Sequence, residues 1–190
     1  QAIHTGGTDG CRLRANRTLN LLLDGMFNSA PPPRRTCPAW SLPKVLNFLS
    51  NSPFEPIQSA PIRDISLKVA FLLAVTSGRR CSELHALAID NTVFSHAGVT
   101  MYFCPGFLAK NERSSFSASP IFIPYFNKSS DRTDRLNCPV RALKWYLDRT
   151  RTMRGNIKQL FITSTKPFRP AAKTTIAGWI VNTITRANAT

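Results

Sequence analysis

Apolar residues gather into helical runs along the chain, separated by proline-rich breaks, with a block of short strand-like runs in the middle. Residues Thr18 to Phe27 (TLNLLLDGMF) predict a helix. Pro31, Pro32 and Pro33 in SAPPPRRTCPAW then forbid any helical continuation, because proline lacks the backbone N–H and clashes with the preceding turn. The segment reads as a linker, with Trp40 and Leu42 anchoring it to the next element. SLPKVLNFLS is a short amphipathic piece, and NSPFEPIQSAPIRD is a second proline-punctuated loop. Ser66 is read as the N-cap of a helix from Leu67 to about Thr76, whose apolar run marks it as a buried core helix. Gly78 ends or bends that helix, and RRCSELHALAI starts another with Leu84, Leu87 and Ala88 on one face.

The strand-like runs are NTVFS, VTMYF after a His96-Ala97-Gly98 turn, and IFIPYF after the polar excursion LAKNERSSFSAS. NKSSDRTDRLN reads as a polar loop. Pro139 then stands where a first helical turn tolerates proline, opening VRALKWYLDRTR with Val140, Leu143 and Leu147 on one side. KQLFITS predicts a short strand, and KTTIAGWIVNTITRA a last helix carrying Ile176, Ile180 and Ile184. The expected fold class is α+β, predominantly helical with a small antiparallel sheet.

Charge adds a partner to this picture. The chain has 190 residues, 25 Lys+Arg against 10 Asp+Glu, a net charge of +15 and a pI near 10.5. That excess is far beyond what solubility needs, and points to a polyanion, nucleic acid above all. Residues 96–190 hold 15 basic and 4 acidic side chains, against 10 and 6 in residues 1–95. From Arg141 to Lys173 nine cations face one acid, Asp148, the balance expected of a stretch lying along a phosphate backbone. A solvated basic face is the alternative. Cys11, Cys37, Cys81, Cys104 and Cys138 are odd in number and widely spaced, which favours neither a disulfide framework nor a zinc site. No metal is expected. The longest apolar run, Val69 to Val75, is too short for a bilayer, so no membrane partner is expected and an intracellular, nuclear location is.

The densest motif is TSGRRCSELHALAIDN, in which Gly78 is followed by Arg79 and Arg80 and then by Glu83. Together with LLLDGMFNSAPPPRR, PGFLAKNE and CPVRALKWYLDRTR, it resembles the catalytic domain of tyrosine recombinases, the phage-integrase family, and most of all the recombinases of DIRS-type and Ngaro-type eukaryotic retrotransposons. The resemblance runs from about Thr18 onward. It implies that residues 1–38 are the remnant of a core-binding domain with its linker, and that residues 39–190 are a catalytic domain incomplete at its C-terminal side. It implies cleavage and rejoining of double-stranded DNA through a phosphotyrosine intermediate, with no metal or other cofactor, by a homo-oligomer that is a tetramer on DNA when complete.

By register, Arg80 corresponds to the family's first catalytic arginine, whose planar fork would hold the scissile phosphate. Glu83 is expected to orient the Arg80 guanidinium. Lys110 matches the hairpin lysine that protonates the departing 5′-hydroxyl. Arg79, Arg113, Arg141, Lys144 and Lys173 are the further candidates for backbone contact. The family's His-x-x-Arg box, its second His or Trp and its nucleophilic tyrosine have no counterpart: the last tyrosine is Tyr146, and His4, His85 and His96 all come too early. Tyr146 within WYLDR reads as a structural or partner-facing aromatic, and His85 as a packed or surface side chain. A chain without nucleophile is expected to be inactive by itself. The alternative is a non-catalytic DNA-binding protein derived from a recombinase. An RNA-binding protein accounts for the charge but leaves the arginine motif unexplained.

Overall fold

The computed structural model describes residues 17–29, 39–108, 119–126 and 130–189. The chain divides into two compact units, Gln1–Ala39 and Trp40–Thr190. In the first, the apolar run expected to be helical forms α1, Arg17–Ser29, with Leu21, Leu22, Leu23 and Met26 exposed.

The second unit is built around one helix. α2 spans Leu42–Leu49 and buries Val45 and Leu49. α3 spans Ile62–Ser77 and is buried on all sides from Ile65 to Leu73, as a helix apolar around its whole circumference must be. α6, Pro139–Thr150, and α7, Lys173–Ala189, pack against α3. α7 also touches α2 and the short α4, Cys81–Ala86. Phe71, Leu73, Leu143, Phe161 and Ile176 meet in this core, where each large side chain contributes about 1.5–3 kcal/mol by leaving water.

The sheet is a three-stranded antiparallel meander, β1 (Val93–Phe94), β2 (Gly98–Met101) and β3 (Ile121–Pro124), in spatial order β1-β2-β3. Val99 pairs with Phe94 on one side and Ile123 on the other, and Val99, Met101, Ile121 and Ile123 face the core. Gly98 allows the close pairing with β3: a Cβ there would run into the carbonyl oxygen of Ile123. The molecule is thus mixed α+β, about half helical, with a small antiparallel sheet.

Four expectations are corrected. α3 begins a turn before Ser66, at Ile62 behind Pro61, and the Ser66 hydroxyl donates to the Ile62 carbonyl instead of capping. α4 stops at Ala86, so Leu87 and Ala88 are not helical. Their backbone bridges Phe103 on one side and Gln159 on the other, with Ala88 N–H donating to Tyr102 and Leu160 N–H donating to Leu87. KQLFITS consequently forms isolated bridges, Gln159 to Ala88 and Ile162 to Pro170, and no strand. The polar loop after β3 contains a five-residue helix, α5 (Arg132–Leu136), capped by the Asp131 carboxylate accepting from Thr133 N–H at 2.7 Å.

Candidate nucleic-acid interface

The turn between α3 and α4 carries the paired arginines. Gly78 terminates α3 in the left-handed conformation (φ 61°, ψ 15°), which glycine adopts without a Cβ penalty, and its N–H donates to the Ala74 carbonyl. Ser77 Oγ donates back to Leu73 at 2.6 Å and accepts from Arg79 N–H at 3.3 Å, tying the next residue to the helix end. Arg80 is extended and serves as the N-cap of α4.

Glu83 organises this turn. Its Oε2 accepts from Arg80 N–H at 2.9 Å, and its Oε1 accepts from Arg79 Nη1 at 2.8 Å. Burial pushes the Glu83 carboxyl up, but the Arg80 N–H and the Arg79 guanidinium outweigh it and hold the group below the usual carboxylate range. The expectation that Glu83 grips the Arg80 guanidinium is therefore corrected: it holds the Arg79 guanidinium and the Arg80 backbone. The reason is local. A glutamate three residues after an N-cap reaches back to the cap N–H, and the i,i+4 spacing brings Arg79 to its other oxygen. Arg80 itself is exposed, and its guanidinium has no hydrogen-bond or ion-pair partner among the described residues. The turn thus presents one tethered and one free guanidinium.

The other named residues are dispersed. Lys173 opens α7, which packs against α4, and His85 Nδ1–H donates to the Ala171 carbonyl at 2.9 Å, fixing the loop before α7 to α4. Lys144 lies at the sheet, its ammonium 5.3 Å from the ring centres of both Phe94 and Tyr125. Arg141 is drawn inward: its guanidinium makes a two-pronged pair with Glu55, at 2.8 and 3.0 Å, and donates to the Leu136 carbonyl. Lys110 and Arg113 lie outside the described residues. Tyr146 is fully buried, its hydroxyl accepts from Ile162 N–H at 3.0 Å, and burial pushes its pKa up to about 12.

One cluster escaped the sequence reading. Lys68, inside the apolar run of α3, is 0% exposed and donates to Glu55 Oε1 at 2.6 Å and to the Leu49 carbonyl at 2.8 Å. The signal was a lysine inside an apolar run, with Ile65, Leu67, Val69, Phe71 and Leu72 around it, which has to find a buried carboxylate. Among the described residues no group of three or more His, Cys, Asp or Glu is placed to hold a metal, and no helix is long and apolar enough to cross a membrane. Cys81, Cys104 and Cys138 are free thiols. No protein-family model matches the chain, and no curated protein or solved structure matches it either.

Proposed function

We propose that the chain is part of a DNA strand-cleaving and rejoining enzyme of tyrosine-recombinase type, in which Arg80 binds the scissile phosphate. The observation that carries this reading is the free Arg80 guanidinium, projecting from a turn that Gly78, Ser77 and Glu83 hold in place. A guanidinium fork presents paired N–H donors that match two phosphate oxygens, and among the described residues no carboxylate is hydrogen-bonded to this one. The net charge of +15 supports a nucleic-acid partner.

In this reading a tyrosine oxygen attacks the phosphorus, a 3′-phosphotyrosine bond forms, and the 5′-oxygen leaves with a proton supplied by Lys110. Tyr146 does not qualify as nucleophile, because its hydroxyl is enclosed and spent on Ile162. The attacking tyrosine and the second arginine are assigned to sequence beyond these 190 residues, and DNA is bound as a homo-oligomer.

The test is Arg80→Ala in a chain extended through the downstream coding sequence, read by cleavage of a nicked suicide duplex and by fluorescence anisotropy. Cleavage is expected to vanish while duplex affinity falls only a few-fold, with the salt dependence losing about 0.9 of its logarithmic slope for the one phosphate contact removed. Retained cleavage sinks the role of Arg80. Duplex binding with no cleavage by the extended wild-type chain turns the reading into that of a DNA-binding derivative.

A further inference from the structure

A second basic feature lies toward the other end of α3. Two hollows of about 270 and 420 Å³ share Arg132, Leu136 and Arg141 in their walls. Tyr125 and Arg135 complete the smaller, and Ser50, Asn51 and Glu55 help to form the larger.

The floor of this cleft is short of negative charge. Glu55 is the carboxylate of the lining, and both its oxygens are occupied: Oε1 by Lys68 and Arg141, Oε2 by Arg141 and Ile57 N–H. Two cations therefore share one anion, with Lys68 fully buried and Arg141 only 24% exposed. A surplus positive charge in a low-dielectric place attracts an anion far more strongly than the same charge on an open surface. Arg132 stands at the mouth, exposed and without a partner among the described residues, and Arg135 adds a third guanidinium whose Nη1 donates to the Ser130 carbonyl.

We propose that this cleft is a phosphate-binding site, lined by Arg132, Arg141 and Glu55, with the Lys68 ammonium buried behind Glu55. The ligand is a phosphate group, taken either from free inorganic phosphate or from a nucleic-acid backbone. Arg132 supplies a two-pronged grip and the cluster supplies the field, so neither group has to be stripped from another carboxylate. The site is distinct from the Arg79–Arg80 turn: Lys68 precedes Gly78 by ten helical residues, about 15 Å along α3.

The experiment is a titration of the full 190-residue chain with inorganic phosphate, against chloride at equal ionic strength, following arginine Nε–H signals by NMR. Saturable shifts of the Arg132 and Arg141 signals are expected with phosphate and none with chloride. Arg132→Ala, an exposed position, is expected to weaken phosphate about tenfold, the loss of one charge-assisted pair, whereas Lys166→Ala, an equal loss of charge elsewhere, leaves affinity unchanged. Arg135→Ala provides a second variant, and melting curves verify that each is folded. A duplex of about 20 base pairs, long enough to span two helical turns, that moves the same signals and is displaced by phosphate identifies a backbone phosphate as the ligand. Saturation by phosphate alone identifies the free anion. No saturable response to either, or equal affinity in the Arg132→Ala and Lys166→Ala variants, overturns the proposal. Strand cleavage is not a readout, so this result stands or falls separately from the recombinase reading.

Discussion

Replacing Glu55 by Gln removes the one anion that Lys68 and Arg141 share while keeping the side chain's size. The amide oxygen still accepts one hydrogen bond, but Lys68, 0% exposed, is left with the Leu49 carbonyl as its remaining strong partner. Breaking one side of a buried ion pair costs about 3–5 kcal/mol. Arg141 keeps some contact with water, so its share is screened and the lower end, about 3 kcal/mol, is the expected loss. For a chain of this size each kcal/mol is about 2–4 °C, which places the melting temperature about 6–12 °C lower. Thermal unfolding followed by circular dichroism reads this directly. The double variant Glu55→Gln/Lys68→Met removes the stranded ammonium as well and is expected to regain at least half of the loss, the non-additivity of groups in direct contact. A Glu55→Gln protein that melts within about 2 °C of wild type, the shift of a loss under 1 kcal/mol, or a double variant no better than the single, refutes the claim that the cluster is an interdependent buried charge set.

Tyr146 sets an alkaline limit. Its folded pKa of about 12 lies above the ordinary value of 10, so its contribution to stability is fully present below pH 10 and is lost as pH climbs toward 12. By about pH 11 the loss is about 1.4 kcal/mol; urea midpoints at about pH 8 and 11 are expected to show it in wild type and not in Tyr146→Phe, and an identical pH response in both contradicts it. Gly98→Ala drives a methyl group against the Ile123 carbonyl, a backbone atom unable to swing away, and is expected to cost about 1–3 kcal/mol. An unchanged urea midpoint means that β2 and β3 separate there without penalty.

Local signals in the sequence carried most of the fold. Gly78 after an apolar run, Pro139 before an amphipathic one and the short strand-like run IFIPYF are local signals, and the end of α3, the start of α6 and β3 obeyed them. The features that were not legible depended on partners distant in the chain. Leu87 and Ala88 continue the helical pattern of α4, but Tyr102 and the segment 158–160 offer their backbone groups hydrogen bonds that a further turn of helix would forfeit. α5 is only five residues long, too short for periodicity, and its one cue was Asp131 two residues before Thr133. At the candidate site, spacing predicted that Glu83 grips the Arg80 guanidinium, whereas it holds the Arg79 guanidinium and the Arg80 N–H. Spacing alone does not separate the two arginines, since i,i+3 and i,i+4 neighbours share a helix face and the choice falls to the cap geometry.

The same distinction governs the charge. Nine cations between Arg141 and Lys173 read as a single basic stretch, yet the fold sends them to different tasks. Arg141 turns inward to Glu55. Arg154, 6% exposed, donates to Thr150 and to the carbonyls of Gln159 and Leu160, which anchors the end of α6 to residues 159–160. Lys158 meets Asp90, Arg151 meets Asp148, Arg149 donates to the Gln58 carbonyl, and Lys144 lies over two rings. Lys166, Arg169 and Lys173 are left, close together in sequence on the segment before α7 and at its first residue, α7 being the helix that α4 packs against. A run of like charge in sequence is thus no evidence of one continuous face. Among the described residues, Arg80 in the turn before α4 and the cations at the start of α7 keep exposed heads, while Arg132 stands apart beside the surplus charge at Glu55. Net charge alone counts Lys68 and Arg154 as equals of Arg80, and only burial separates the cations that hold the fold together from those that can meet a partner.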